Sequence, residues 1–121
     1  MTQRRGKYNA RKTKIDGITF DSKAEARRYR ELKLLEKTGA IMHLAVHPKY
    51  MLQVPFIDNT GAKIRGIIYT GDFEYLEEPD AQMVVEDVKG VETAVFKLKA
   101  KMFKRLYPEY DFRIVPAKDV E

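Results

Sequence analysis

Apolar and polar positions repeat along this chain with two periods, one helical and one extended. From about residue 23 to 38 the apolar positions Ala24, Tyr29, Leu32, Leu34 and Leu35 recur at helical spacing. Arg27, Arg28, Arg30, Lys33 and Lys37 occupy much of the remaining surface. Ser22 stands three residues before Glu25, the spacing of a capping box, and Gly39 is placed to end the helix. A second helix is predicted over 93–107, with Val95, Leu98, Met102 and Leu106 as its apolar stripe and Pro108 as its stop. Between the helices the period falls to two. Strands are predicted over 41–46 and 50–54, along the β stretch 64–75, and over 83–88, with a last short strand over 112–115. Turn residues separate them at 58–61 and at 77–80. Residues 15–20 predict a hairpin with Asp16-Gly17 at its corner. The order is helix, three or four strands, helix, strand, which predicts a mixed α/β (α+β) domain.

Composition narrows the picture. A chain of 121 residues, 44% hydrophobic, suits one domain with one modest core. No stretch approaches the ~18 apolar residues of a membrane helix, and no apolar run follows the basic N-terminus as it would in a secretory signal. Cysteine is absent, so disulfides, zinc–cysteine sites and cysteine nucleophiles are excluded, and a cytoplasmic location is expected.

The net charge is +5 and unevenly spread. Arg4, Arg5, Lys7, Arg11, Lys12 and Lys14 give residues 1–14 six positive charges and no acid, whereas the rest carries 17 basic and 18 acidic side chains. The expectation is a flexible basic arm over 1–14 and a single domain over 15–121. Such an arm can contact phosphates or act as a solubilising terminus.

Candidate chemistry lies in the acids of the strand region. If the loop is centred between Pro79 and Asp80, residues whose numbers sum to 159 face each other, and Asp72 then faces Asp87. Directly opposed residues on antiparallel strands have Cβ atoms roughly 4.5–5.5 Å apart, so the two carboxylates repel unless a cation lies between them. Strand alternation puts Asp87 and Lys89 on one face and Glu86 on the other. Asp72 and Asp87, with Glu25 as a possible third donor, offer the hard oxygens that Mg²⁺ prefers, and Lys89 could orient water or steady developing negative charge. Glu25 is equally explained by the capping box. His43 and His47, four apart, could bind zinc together on a helix, but Pro48 and the alternating pattern there read as strand, and no third ligand is expected nearby.

These residues resemble the PD-(D/E)XK nuclease superfamily. Lys7-Tyr8-Asn9-Ala10, the run from Gly17-Ile18-Thr19-Phe20-Asp21-Ser22 to Lys23-Ala24-Glu25-Ala26, and Val85-Glu86-Asp87-Val88-Lys89-Gly90 look like a phage and prophage nuclease family within it, similar to small phage Holliday-junction resolvases. The resemblance spans nearly the whole chain, although Gly71 rather than proline precedes Asp72. It implies a restriction-endonuclease-like core, a central mixed sheet flanked by helices. It also implies catalytic roles for Asp72, Asp87 and Lys89, with Glu25 as an additional acid. A Mg²⁺ cofactor that Mn²⁺ can replace, a branched-DNA substrate and a homodimer follow from it. Lys97, Lys101, Lys104, Arg105 and the arm would contact backbone phosphates. Two rivals remain: a nicking, flap or single-strand nuclease using the same residues, and a nucleic-acid-binding protein without catalysis.

Overall fold

A computed structural model describes residues 12–120. Strands β1 (Thr13–Ile15) and β2 (Ile18–Phe20) form the first hairpin. Its corner residues Asp16 and Gly17 both have positive φ, 54° and 78°, which a two-residue hairpin of this kind requires. Thr13 and Lys14 are paired strand residues, so the hairpin begins inside the segment that charge alone assigned to the arm. Of the predicted phosphate contacts in that arm, Arg4, Arg5, Lys7 and Arg11 lie outside the described residues, whereas Lys12 and Lys14 are exposed.

Helix α1 (Lys23–Thr38) starts and stops as predicted. The Ser22 Oγ accepts from the Glu25 N–H at 3.1 Å, and Gly39 closes the helix with φ 85°. Its buried face differs from the predicted one. Glu25, Ala26, Tyr29 and Leu32 face inward, while Leu34 and Leu35 face solvent.

The region between the helices holds more strands than the pattern predicts. β3 (Ile41–Val46), β4 (Lys49–Gln53), β5 (Phe56–Ile57), β6 (Lys63–Ile64), β7 (Ile67–Thr70), β8 (Phe73–Glu77) and β9 (Gln82–Lys89) follow in order. The single stretch expected over 64–75 is thus three strands. Gly66 and Gly71 mark its breaks. A Cβ at Gly66 would lie 2.8 Å from the Gln53 carbonyl, so only glycine fits that close approach. After β9 come helix α2 (Ala94–Leu106), β10 (Asp111–Pro116) and a 3₁₀ turn (Ala117–Val120).

The central sheet runs β10–β9–β8–β3, with β10 parallel to β9 and the other neighbours antiparallel. It is a mixed sheet between two helices, as predicted. On one side α1 and the first hairpin cover Phe73, Tyr75, Val84 and Val88. On the other, α2 and the β4–β7 ribbon enclose Val85 with Tyr50, Tyr69, Phe96 and Phe103. Here the predicted stripe of α2 is corrected. Val95 and Leu98 are 63% and 58% exposed, and Phe96, Ala100 and Phe103 form the buried face. Both sets recur at helical spacing, and the set with the larger aromatic area is the one buried.

Glu86 is wholly buried on the α1 side. Arg28 grips it with two hydrogen bonds, Nε to Oε1 at 2.7 Å and Nη2 to Oε2 at 2.6 Å, and the Tyr75 hydroxyl donates to it as well. A buried charge is tolerated only when paired and hydrogen-bonded in this way. Removing one partner strands the other. We expect Arg28→Met alone to cost about 3–5 kcal/mol of folding stability. The double replacement Arg28→Met with Glu86→Leu should cost less than that single change. Urea unfolding of the parent, Arg28→Met, Glu86→Leu and the double mutant checks this; a double mutant that loses the sum of the two single effects would show that the pair is not coupled.

Candidate active site

The site forms at the start of β8. Strands β8 and β9 pair with Phe73 opposite Glu86 and Glu77 opposite Gln82, the register expected from the loop position. Carried one residue further, it sets Asp72 opposite Asp87. The chain bends there. The Asp72 N–H donates to the Glu86 carbonyl at 3.0 Å, and the Asp72 carboxylate accepts from the Val88 N–H at 2.6 Å. Asp72 is thereby bound to the backbone on both sides of Asp87.

Glu25 reaches the same place from the first turn of α1. Ligand oxygens of Glu25 and Asp72 lie within 4.8 Å of each other, and Asp72 interacts electrostatically with both Glu25 and Asp87. Glu25 keeps its capping role, so cap and site residue are one. Asp87 is held by two side chains. The Tyr69 hydroxyl donates to its Oδ2 at 2.5 Å, and Lys89 Nζ stands 3.2 Å from its Oδ1. Lys89 also lies over the Phe96 ring, 4.3 Å from the centroid, which fixes the ammonium at the site. The four residues selected from the sequence, Glu25, Asp72, Asp87 and Lys89, therefore come together. Glu86, expected on the opposite face, is there.

Three residues around the site were not legible in the sequence. Tyr69 belongs to β7, in a different sheet, and no spacing links it to Asp87. Arg28, one turn after Glu25, fastens α1 to the strand that carries Asp87. His47 follows β3, and its ring lies beside Glu25 and Asp72; ligand atoms of the three all lie within 4.8 Å of one another. The expectation that no third ligand meets a histidine here is corrected for His47. His43 is exposed. The basic residues of α2, Lys97, Lys101, Lys104 and Arg105, are all exposed, with Lys104 set over the Phe112 ring.

Electrostatics follow from packing three acids where little water reaches. Burial, then the charges of Asp87 and Glu25, push the Asp72 carboxyl up to about 9. Burial also raises Glu25 and Asp87, opposed at Asp87 by the Tyr69 hydrogen bond and by Lys89. The donors that lie within 4.8 Å of one another are Glu25, Asp72 and His47, with Asp87 adjoining through Asp72; a hard divalent cation fits the carboxylates, and it would relieve the repulsion that otherwise retains a proton.

Fold and site together define a mixed α/β protein with a buried carboxylate cluster and one lysine at the end of its central sheet. The chain belongs to the DUF1064 family, described as a protein of unknown function, whose model matches residues 5–118. No curated protein and no solved structure matches it. No helix among the described residues is long and apolar enough to cross a membrane.

The raised Asp72 carboxyl carries a stability prediction. Its ordinary value is 3.8, and in the fold it rises to about 9. The folded state thus holds a proton that the unfolded chain has released. The stability tied to that proton is fully present below the unfolded value and is lost as pH rises through the window toward 9. Asp72→Asn keeps an oxygen for the Val88 N–H and removes the titration. In EDTA, Asp72→Asn should melt higher than the parent at pH 8, by roughly 1–3 kcal/mol, with the gap closing toward pH 4. Thermal melts at several pH values check this, and a gap independent of pH would contradict the assignment.

Proposed function

We propose that this protein is a metal-dependent DNA endonuclease, and that its substrate is branched DNA of the Holliday-junction kind. The observation that supports the reading is the meeting of Asp72, Asp87, Glu25 and Lys89 from α1, the bend before β8, and β9. This acid–acid–lysine arrangement is what the resemblance to PD-(D/E)XK nucleases implies. Asp72 and Asp87 would hold a divalent cation, Mg²⁺ or in its place Mn²⁺, with Glu25 as a further donor. When bound, that cation would offset negative charge on the scissile phosphate and favour ionisation of water. Lys89 Nζ, steadied by Asp87 and the Phe96 ring, orients the attacking water and donates to the oxygen that gains charge. Tyr69 keeps the Asp87 carboxylate turned toward the site.

The nucleic-acid surface would comprise the basic arm together with Lys97, Lys101, Lys104 and Arg105, which contact phosphates and so favour shape over sequence. A four-way junction has two-fold symmetry, and paired cuts across it call for a homodimer. Such a protein would work in the cytoplasm. A binding protein without catalysis fits less well, since clustered acids oppose phosphate unless a cation is present.

The test is cleavage of a labelled four-way junction beside a linear duplex and a single strand of matched sequence, each with Mg²⁺ or with EDTA. Paired cuts near the branch point are expected, lost in EDTA and reduced by about 10²–10³-fold in Asp87→Ala and Lys89→Ala, as when a charge-stabilising group is removed. Equal cutting of all three substrates would keep the nuclease and discard the junction. No cutting with Mg²⁺ or Mn²⁺ would overturn the enzyme reading.

A further inference from the structure

His47 is placed at this site by an irregularity in β3. At the beginning of the strand Ile41 pairs with Glu77 and Met42 with Leu76. At its end Ala45 pairs with Glu74 and Val46 with Phe73, so one residue has been inserted between the two halves. The insertion is a bulge around His43, whose φ is 59°. A bulge of this kind shifts every later residue by one position on the partner strand. Without it His47 would face Gly71. With it, His47 faces Asp72, and the His47 N–H donates to the Asp72 carbonyl at 3.0 Å.

Because β8 lies between β3 and β9, the row across the sheet end reads His47, Asp72, Asp87. Asp72 is the shared centre. Asp87 and Lys89 stand on one side of it, and His47 and Glu25 complete the other. A second observation bears on the imidazole itself. His47 has φ 55°, which departs from strand geometry, and its ring packs on Phe20 with centroids 5.8 Å apart. Phe20 belongs to the core on the α1 side, where Glu25 enters. The ring is thus held beside Glu25 and Asp72 by a fully buried partner.

The donor spacing suits an ion. Donors around a six-coordinate cation with bonds of about 2.1 Å lie roughly 3–4.2 Å apart. The ligand atoms of Glu25, His47 and Asp72 all fall within 4.8 Å of one another, so small side-chain rotations close the set. We propose that His47 is a nitrogen ligand at this site, and that the site favours a first-row transition cation of the Mn²⁺ class over Mg²⁺. The proposal rests on the nuclease reading for its metal site and adds the donor that decides which metal. Mg²⁺ takes oxygen ligands and keeps its waters, whereas an imidazole nitrogen favours the transition ions.

The chain contains only two histidines, so the assignment can be read directly. The protein is loaded with Mn²⁺, and electron spin-echo modulation is recorded for nitrogen coupled to the ion. The parent and His43→Gln should both show imidazole ¹⁴N coupling, His47→Gln should lose it, and ¹⁵N-histidine labelling of the parent should change the modulation pattern. By calorimetry His47→Gln should weaken Mn²⁺ binding by about tenfold, the low end of what a lost metal-site partner costs, with a smaller loss for Mg²⁺. If His47→Gln does not fold, the labelled parent beside His43→Gln still decides the matter. Mn²⁺ bound in an Asp72-dependent way but without histidine coupling would overturn this inference and leave the nuclease reading standing. No Mn²⁺ binding by the parent, or binding unchanged in Asp72→Asn, would overturn both.

Discussion

Glu86 bears its charge with no exposure to water, and the Arg28 guanidinium is what makes that position tenable. The pair does more than neutralise a buried acid. Arg28 is one helical turn beyond Glu25, and Glu86 immediately precedes Asp87. Gripping Glu86 therefore fixes the rotation and height of α1 against β9, and Glu25 is delivered to Asp72 as a consequence. The Glu86 carbonyl meanwhile accepts from the Asp72 N–H. One residue thus ties helix, strand and bend together from the face opposite the Asp87 side chain. Exchanging such a pair for apolar side chains is often neutral or favourable for stability, so its value here is geometric.

The same division of labour recurs on the other face. Tyr69 and Phe96 belong to the aromatic core under α2, and each also touches a site residue, Tyr69 through its hydroxyl and Phe96 through its ring. Lys89 is accordingly fixed by apolar packing as well as by charge. Side chains held in this way lose little freedom when a ligand binds, which is the condition for preorganised electrostatics. Of the exposed bases of α2, Lys104 has a ring contact of the same kind, with Phe112, at a longer 5.5 Å.

What could be read from the chain divides along physical lines. The pairing of β8 with β9 was legible because a short loop with a definable centre sets the register of both strands. Asp72, Asp87 and Lys89 follow from it. The caps of α1 were legible for a similar reason, since Ser22, Glu25 and Gly39 act within one helical turn. The inward face of α2 was not. Its two candidate stripes are both apolar, and only tertiary packing chooses Phe96, Ala100 and Phe103 over Val95 and Leu98. The position of His47 depends on a left-handed residue at His43, a position that carries neither glycine nor asparagine to announce it. Tyr69 and Arg28 reach the site through contacts between elements far apart in sequence, which no local pattern encodes.

The acids themselves oppose folding. Burial raises all three carboxyls, repulsion between acids adds to it at Asp72 and Glu25, and the protein offsets this with Lys89, the Tyr69 hydroxyl and the Val88 N–H. What they leave uncompensated holds the Asp72 carboxyl up at about 9, so that it retains a proton. A fold selected for stability alone would place apolar or amide side chains at Asp72 and Asp87, as it does nearby at Phe73, Val84 and Val85. Retaining acids there, and securing them from both faces of the sheet, supplies the negative charge that the proposed cation site needs. The register of three strands fixes where that charge stands, the clamp on Glu86 fixes its third member, and the core beneath Lys89 limits how far it can relax.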